Sequence, residues 1–197
     1  RVLSSYFDHV TIIERDHLPT ETEPRAGIPQ GYHAHALMAR GRQIMEGLFP
    51  GLEKDLVDHG TLQFDMAQDA QIRFKEGWAK RIFSDMTVFS MSRPLLEGRV
   101  RAWVLANPFI TVRDGYDVLG FTAYGGLVTG VRLRQRGTQE TSFLSADLVV
   151  DASGRASKTP EWLEAIGFPK PEETEIDAFV GYATRWYEKP KDPSIDW

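Results

Sequence analysis

The sequence predicts an α/β protein in which a parallel sheet carrying helices is interrupted by antiparallel pieces and has a second sheet attached. Three observations predict it. The β-branched apolar runs His9-Val-Thr-Ile-Ile13 and Ala146-Asp-Leu-Val-Val150 suit buried parallel strands. Apolar residues recur at helical spacing between them, and short alternating segments at 62–91 and 116–144 suit antiparallel strands.

In order along the chain, Arg1-Val-Leu-Ser-Ser-Tyr-Phe7 reads as the end of a helix running into the strand 9–13. A turn-rich segment follows from Asp16 to Gly31, with three prolines and two glycines. Leu37, Ile44, Met45 and Leu48 predict a helix that Pro50-Gly51 ends, and a second short helix is expected over Leu52 to Asp58. Gln71-Ile-Arg-Phe-Lys75 and Arg81-Ile-Phe83 read as strands of a half-exposed sheet.

Ser92-Arg93-Pro94 opens a helix, because serine caps well and proline suits the first turn. Its apolar face is Leu96, Val100, Trp103 and Val104. Asn107-Pro108 ends it, and Phe109-Ile-Thr-Val112 is the next strand. Tyr116 to Leu144, broken at Gly125-Gly126 and Arg136-Gly137, predicts a three-stranded meander. The run 146–150 is expected to be a buried strand ending in Asp151-Ala-Ser-Gly154, and Ala178 to Tyr187 alternates like another strand. The finish, Lys189 to Trp197, brings no element to close the fold, so both ends are expected to be cut.

The composition excludes some chemistry. There is no cysteine, hence no disulfide, thiolate metal site or cysteine nucleophile. A formal charge of −5 argues against a nucleic-acid partner. Arg132, Arg134 and Arg136 alternate along a strand and read as a solvated face. No apolar run approaches the roughly 20 residues of a membrane span, and no signal segment opens the chain. A cytoplasmic protein is the expectation. There is no G-x-S-x-G elbow and no G-x-x-x-x-G-K-[ST] phosphate loop. His33 and His35 would diverge by about 200° on a helix and have no spaced partner, so no metal is expected.

Two features invite a ligand. Glu14 ends a strand, where an acid in a nucleotide-binding α/β unit accepts ribose hydroxyls, although a solvated strand-end charge looks the same. Asp151-Ala-Ser-Gly-Arg-Ala-Ser157 follows an apolar strand; its small residues permit close approach, and Gly154 and Ser157 can open a helix toward an anion. An ordinary strand-to-helix turn has the same composition.

Taken in order, Val10-Thr-Ile-Ile-Glu14-Arg15, Arg25-Ala-Gly-Ile-Pro-Gln30-Gly, Ser92-Arg93-Pro-Leu-Leu-Glu97 and Ala146-Asp-Leu-Val-Val-Asp151-Ala-Ser-Gly154 resemble the FAD-dependent monooxygenase superfamily. That superfamily includes the p-hydroxybenzoate hydroxylase type and the epoxidase, flavin halogenase and geranylgeranyl reductase branches. The resemblance covers most of the chain. It implies an incomplete Rossmann-like FAD/NAD(P)-binding domain with a three-stranded β-meander and part of an antiparallel substrate-side sheet. Residues 1–61 and 92–175 would form the FAD-binding part, and 62–91 and 176–197 parts of the substrate-side sheet. The G-x-G-x-x-G turn would lie before Arg1.

The resemblance also implies roles. Glu14 would hold the adenosine ribose, Arg15 would lie against the adenine and Val118 would reach it through its backbone. Arg25 would neutralise the pyrophosphate, for which a forked guanidinium is suited. Arg93 would reach the flavin side, and Ala152, Ser153 and Gly154 would line FAD and its nicotinamide partner. The hydroxylase branch usually carries Asp-Gly where this chain has Ser153-Gly154, a form more like the halogenase, reductase and epoxidase branches; NADPH or NADH would be the reductant. The flavin would use dioxygen to oxidise an apolar or aromatic small molecule, leaving the chain itself to bind and shield. Phe64, Phe74, Trp78, Phe89, Phe179 and Trp186 would supply substrate-side aromatic surface, or simply sheet core. No acid, base or nucleophile is singled out as catalytic. Two other readings remain open: a cofactor-free truncated domain or interaction module, and an S-adenosylmethionine-dependent methyltransferase, which would need neither arginine.

Overall fold

The computed structural model describes residues 1–20, 22–185 and 187–188. The protein is mixed α/β with several sheets, and it divides into two compact units. Among the described residues, the first comprises 1–10, 19–110 and 182–188; the second comprises 11–18 and 111–181.

The chain opens with a 3-10 turn, Leu3–Ser5, and then β1, Val10–Ile13. A second 3-10 turn, Pro29–Tyr32, leads into β2, Ala34–Leu37. Helices α1 (Ala39–Leu48) and α2 (Leu52–Asp58) follow, then strands β3 (Leu62–Asp65), β4 (Arg73–Phe74), β5 (Gly77–Trp78) and β6 (Thr87–Ser92). Helix α3 spans Arg93–Leu105 and β7 spans Ile110–Arg113. The meander is β8 (Tyr116–Tyr124), β9 (Leu127–Gln135) and β10 (Thr141–Ser145). A 3-10 turn at Gly154–Ala156 precedes α4, Thr159–Ala165.

The first unit is built on β6. Both β2 and β3 pair with it in antiparallel register, His35 opposite Met91 and Phe64 opposite Val88. Phe89 and Met91 of β6 join Phe49, Leu52, Leu56 and Leu96 in one buried cluster, flanked by Val100, Trp103 and Val104 of α3. The apolar face expected of α3 is therefore the face that packs. Ser92 ends the strand and caps the helix, its Oγ accepting from Leu95 N at 3.2 Å.

In the second unit the meander runs β10-β9-β8, with Leu133 and Val131 of β9 buried. Phe121 meets Trp162 of α4 edge to face, centroids 5.5 Å apart. Gly130 explains how β9 approaches β10: its φ is +150°, and a Cβ there would lie 2.1 Å from Leu144 O.

Strands β1 and β7 run parallel, since Val10 N donates to Phe109 O and Glu14 N to Arg113 O, both advancing by four residues. This pair is the only parallel sheet among the described residues, which is less than a Rossmann-like sheet.

Several expectations need correction. Leu37 belongs to β2 rather than to the helix, because its backbone continues the ladder opposite Phe89. Arg81 to Phe83 forms no strand; the hairpin lies earlier, at Arg73–Phe74 and Gly77–Trp78. Residues 146–150 form no strand either. Ala146 N still reaches Thr129 O, but the chain then leaves the meander with Leu148 and Val150 half exposed, and an apolar run without a ladder partner does not make a strand. Residues 178–185 likewise form none, with Phe179 and Tyr182 exposed; Trp186 lies outside the described residues. Of the two readings open for Phe89, the structure shows sheet core.

Candidate functional site

The eight cofactor candidates divide between the units. Arg25 and Arg93 lie in the first, and Glu14, Arg15, Val118, Ala152, Ser153 and Gly154 in the second.

In the first unit the relevant element is the opening of α3. Pro94 is buried in its first turn, and Arg93 precedes it. The Arg93 Nε is buried and has no hydrogen-bond partner among the described residues. Arg42 Nε is in the same condition, but the Arg42 guanidinium is anchored through Nη1 to Glu53 at 2.5 Å. His35 stands on β2 opposite Met91, two residues before Arg93, which follows β6. Burial lowers the His35 pKa first, and the positive charge of Arg93 lowers it further.

Arg25 is differently placed. Its Nε donates to Glu97 Oε1 at 2.7 Å, and Arg101 Nη1 shares that oxygen at 3.4 Å. Arg101 Nη2 also donates to Pro19 O at 2.9 Å, so two arginine contacts fasten the 19–25 segment to α3. Glu97 of the Ser92–Glu97 motif is the acceptor that joins these two arginines. Its spacing of four from both Arg93 and Arg101 was the available signal. His33 Nδ1 lies 2.7 Å from Thr184 Oγ1.

In the second unit, Glu14 sits at the carboxyl end of β1. Its Oε1 accepts from Asp16 N at 2.9 Å, and its carbonyl accepts from Tyr116 N. Arg15 is exposed, with its carbonyl accepting from Arg136 Nη1 at 3.3 Å. Val118 pairs with Leu133 beside a register shift in β8.

Ala152, Ser153 and Gly154 form an exposed turn, and Gly154 has φ +83°. Asp151 holds that turn. It accepts from Ser153 N at 2.8 Å and from the hydroxyls of Ser157 and Thr159 at 2.5 Å each. Partial burial pushes the Asp151 carboxyl up, but these donors outweigh it and hold the pKa well below the usual carboxylate range. Ser157 Oγ in turn accepts from Thr159 N at the start of α4. Asp151 is thus a structural anchor missed from the sequence, legible in the hydroxyls two, six and eight residues on.

Two open clefts among the described residues lie away from the cofactor candidates. One, of about 250 Å³, is lined by Gln71, Ile72, Trp78, Ala79 and Arg81. The other, of about 230 Å³, is lined by Arg1, Val2, Ser5, Tyr6, Gly47 and Leu48. No group of three or more metal-ligating side chains occurs among the described residues, and no described helix is long and apolar enough to cross a membrane.

No family model matches the sequence. The chain is 35% identical to Protein Rv3254 of Mycobacterium tuberculosis over 199 aligned positions, which cover 96% of this chain and 42% of that protein. The chain therefore spans less than half the length of this relative. Among solved structures it is similar to Thermovibrio ammonificans THI4, with a TM-score of 0.40 and 16% identity, over 81% of this chain and 53% of the other.

Proposed function

We propose that the chain is part of an FAD-dependent oxidoreductase, a monooxygenase that oxidises an apolar or aromatic small molecule with dioxygen. The observation that carries this reading is Arg93. A guanidinium whose buried Nε lacks an acceptor is a donor awaiting one, and a buried polar atom without a partner is costly. Arg93 opens α3, where the ordered motifs of the sequence put a residue facing the cofactor.

The other residues fit this group unequally. Glu14 has its carboxylate at a parallel strand's carboxyl end, as a ribose acceptor requires, and the 152–154 turn is exposed and built of small residues. Arg25 fits less directly, since it must share its charge between Glu97 and a pyrophosphate. When bound, FAD would supply the redox chemistry. In the first unit Arg93 would donate from the helix start and Arg25 would lend positive charge; in the second, Glu14 would accept from the ribose, with Arg15 and Val118 bordering the adenine. NADPH or NADH as the hydride source, the division into an FAD part (1–61, 92–175) and a substrate part (62–91, 176–197), and a cytoplasmic site of action complete the proposal. A methyltransferase would use Glu14 but would leave Arg93 unexplained.

The absorbance spectrum of the longer protein containing this chain tests the reading. FAD should co-purify with it or raise its melting temperature. Arg93→Gln should reduce flavin occupancy, and Arg25→Ala should weaken binding by about 1.5–3 kcal/mol, the range for hydrogen bonds to charged groups. Arg25→Lys should recover only part, lacking the fork. A colourless protein without a thermal response to FAD overturns the proposal.

A further inference from the structure

The hairpin of β4 and β5, with its flanks, forms a surface unlike the rest of the chain. From Gln71 to Phe83 the sequence carries Arg73, Lys75, Lys80 and Arg81 against Glu76 alone, four positive charges minus one, or +3. The whole chain carries −5. All five of these charged residues are exposed. Interleaved with them are Phe74, Trp78, Ile82 and Phe83, which are 59%, 61%, 60% and 73% exposed. Single exposed apolar side chains are ordinary, whereas a contiguous group of large ones marks a contact surface.

The segment is also held in shape. Arg73 pairs with Trp78 across the hairpin, and its guanidinium lies over the indole, 5.4 Å from the ring centroid. Ala79 N donates to Ile72 O at 2.8 Å, and Ile82 N to Ala67 O at 3.3 Å. At the base, Asp65 accepts from the backbone of Ala67, Gln68 and Ser84 and from the Ser84 hydroxyl. These four donors outweigh the opposing effect of burial and hold the Asp65 pKa down at about 2, so its charge is kept over the whole physiological range. The aromatic side chains are thus displayed by an ordered hairpin.

Charge and apolar character together select the partner. Anionic headgroups attract clustered Lys and Arg, while Trp and Phe partition into the boundary beneath them and basic side chains extend back to the phosphates. We propose that residues 71–83 are a peripheral anchor that docks the protein on anionic lipid surfaces, with Trp78 and Phe83 entering the headgroup boundary. The anchor lies apart from every cofactor candidate in sequence, and its test does not depend on FAD.

Flotation of the 197-residue chain with phosphatidylcholine vesicles, with and without phosphatidylglycerol, tests the anchor. Binding is expected with the anionic vesicles, and raised salt should release it. Lys75→Gln with Lys80→Gln should lower partitioning about 25-fold, from about five-fold per basic residue at an anionic surface. Phe83→Ser should also release the chain, with the far-UV circular dichroism of both variants unchanged because these side chains are exposed and lie outside the Arg73–Trp78 contact. Salt release of the unmodified chain keeps the test decisive if a variant misfolds. Equal binding to neutral vesicles, no binding to anionic ones, or indifference to the lysine substitutions overturns the proposal. So does self-association abolished by Phe83→Ser in a chain that ignores vesicles, which would make the partner a second copy.

Discussion

Asp55 shows how much a single side chain organises here. It accepts two hydrogen bonds from Arg99 at 2.8 Å each and one from Trp103 Nε1 at 2.9 Å, tying α2 to α3, and His59 Nδ1 stands 3.2 Å away. Burial acts to raise its pKa, but the donors and the Arg99 charge prevail and lower it. A carboxylate with a lowered folded-state pKa contributes stability above its unfolded value, and that contribution is lost as pH falls through the folded one. Asp55→Ala should cost about 1–3 kcal/mol at neutral pH, because Arg99 and Trp103 lose their acceptor. Urea unfolding measures it. The gap between wild type and variant should narrow as acid protonates Asp55; a gap independent of pH would show that the charge plays no part. Nothing in the sequence marks this network, since its members are 44 and 48 residues apart. Arg25 stands out in the sequence only through its motif, and its ion pair with Glu97, 72 residues on, is visible only in the fold.

At the scale of elements, local signals read well and distant ones poorly. The helix at 52–58, the capped start of α3 and the three-stranded meander all follow from nearby residues: a cap, a proline, paired glycines. The run 146–150 shows the limit, because apolar β-branched composition names a strand only if another strand comes alongside. Within the meander, Gly130 carries a requirement that composition does not display. Its φ of +150° strains any residue with a Cβ, and that atom would meet the Leu144 carbonyl. Gly130→Ala should therefore destabilise the second unit by about 1–3 kcal/mol through backbone strain alone, with the carbonyl clash adding to it. Amide hydrogen exchange should show lost protection across β9 and β10 while β2 and β6 keep theirs. Unchanged protection in β10 would mean that the strand pair yields without cost.

Across the molecule, the described residues give β1 a single partner, β7, and two-stranded sheets are marginal by themselves. A dinucleotide's pyrophosphate rests chiefly on the N–H groups of a glycine-rich turn and the positive end of its helix. The 197 residues contain no G-x-G-x-x-G, so this chain alone would have to bind FAD through side chains such as Arg93, Arg25 and Glu14. Arg25 already answers to Glu97, and Glu14 is itself negative. Isolated guanidinium contacts are each worth about 1.5–3 kcal/mol, which does not replace several oriented backbone donors. If, as proposed, a longer FAD protein contains it, the 197-residue chain alone should bind FAD far more weakly than that protein. Titration with FAD, followed by flavin fluorescence, compares the two directly. Weak or undetectable binding by the chain beside stoichiometric FAD in the longer protein is the expected outcome. Saturable binding by the chain at low micromolar concentration would show instead that its own elements build the phosphate site, with Arg93 at α3 the first place to look.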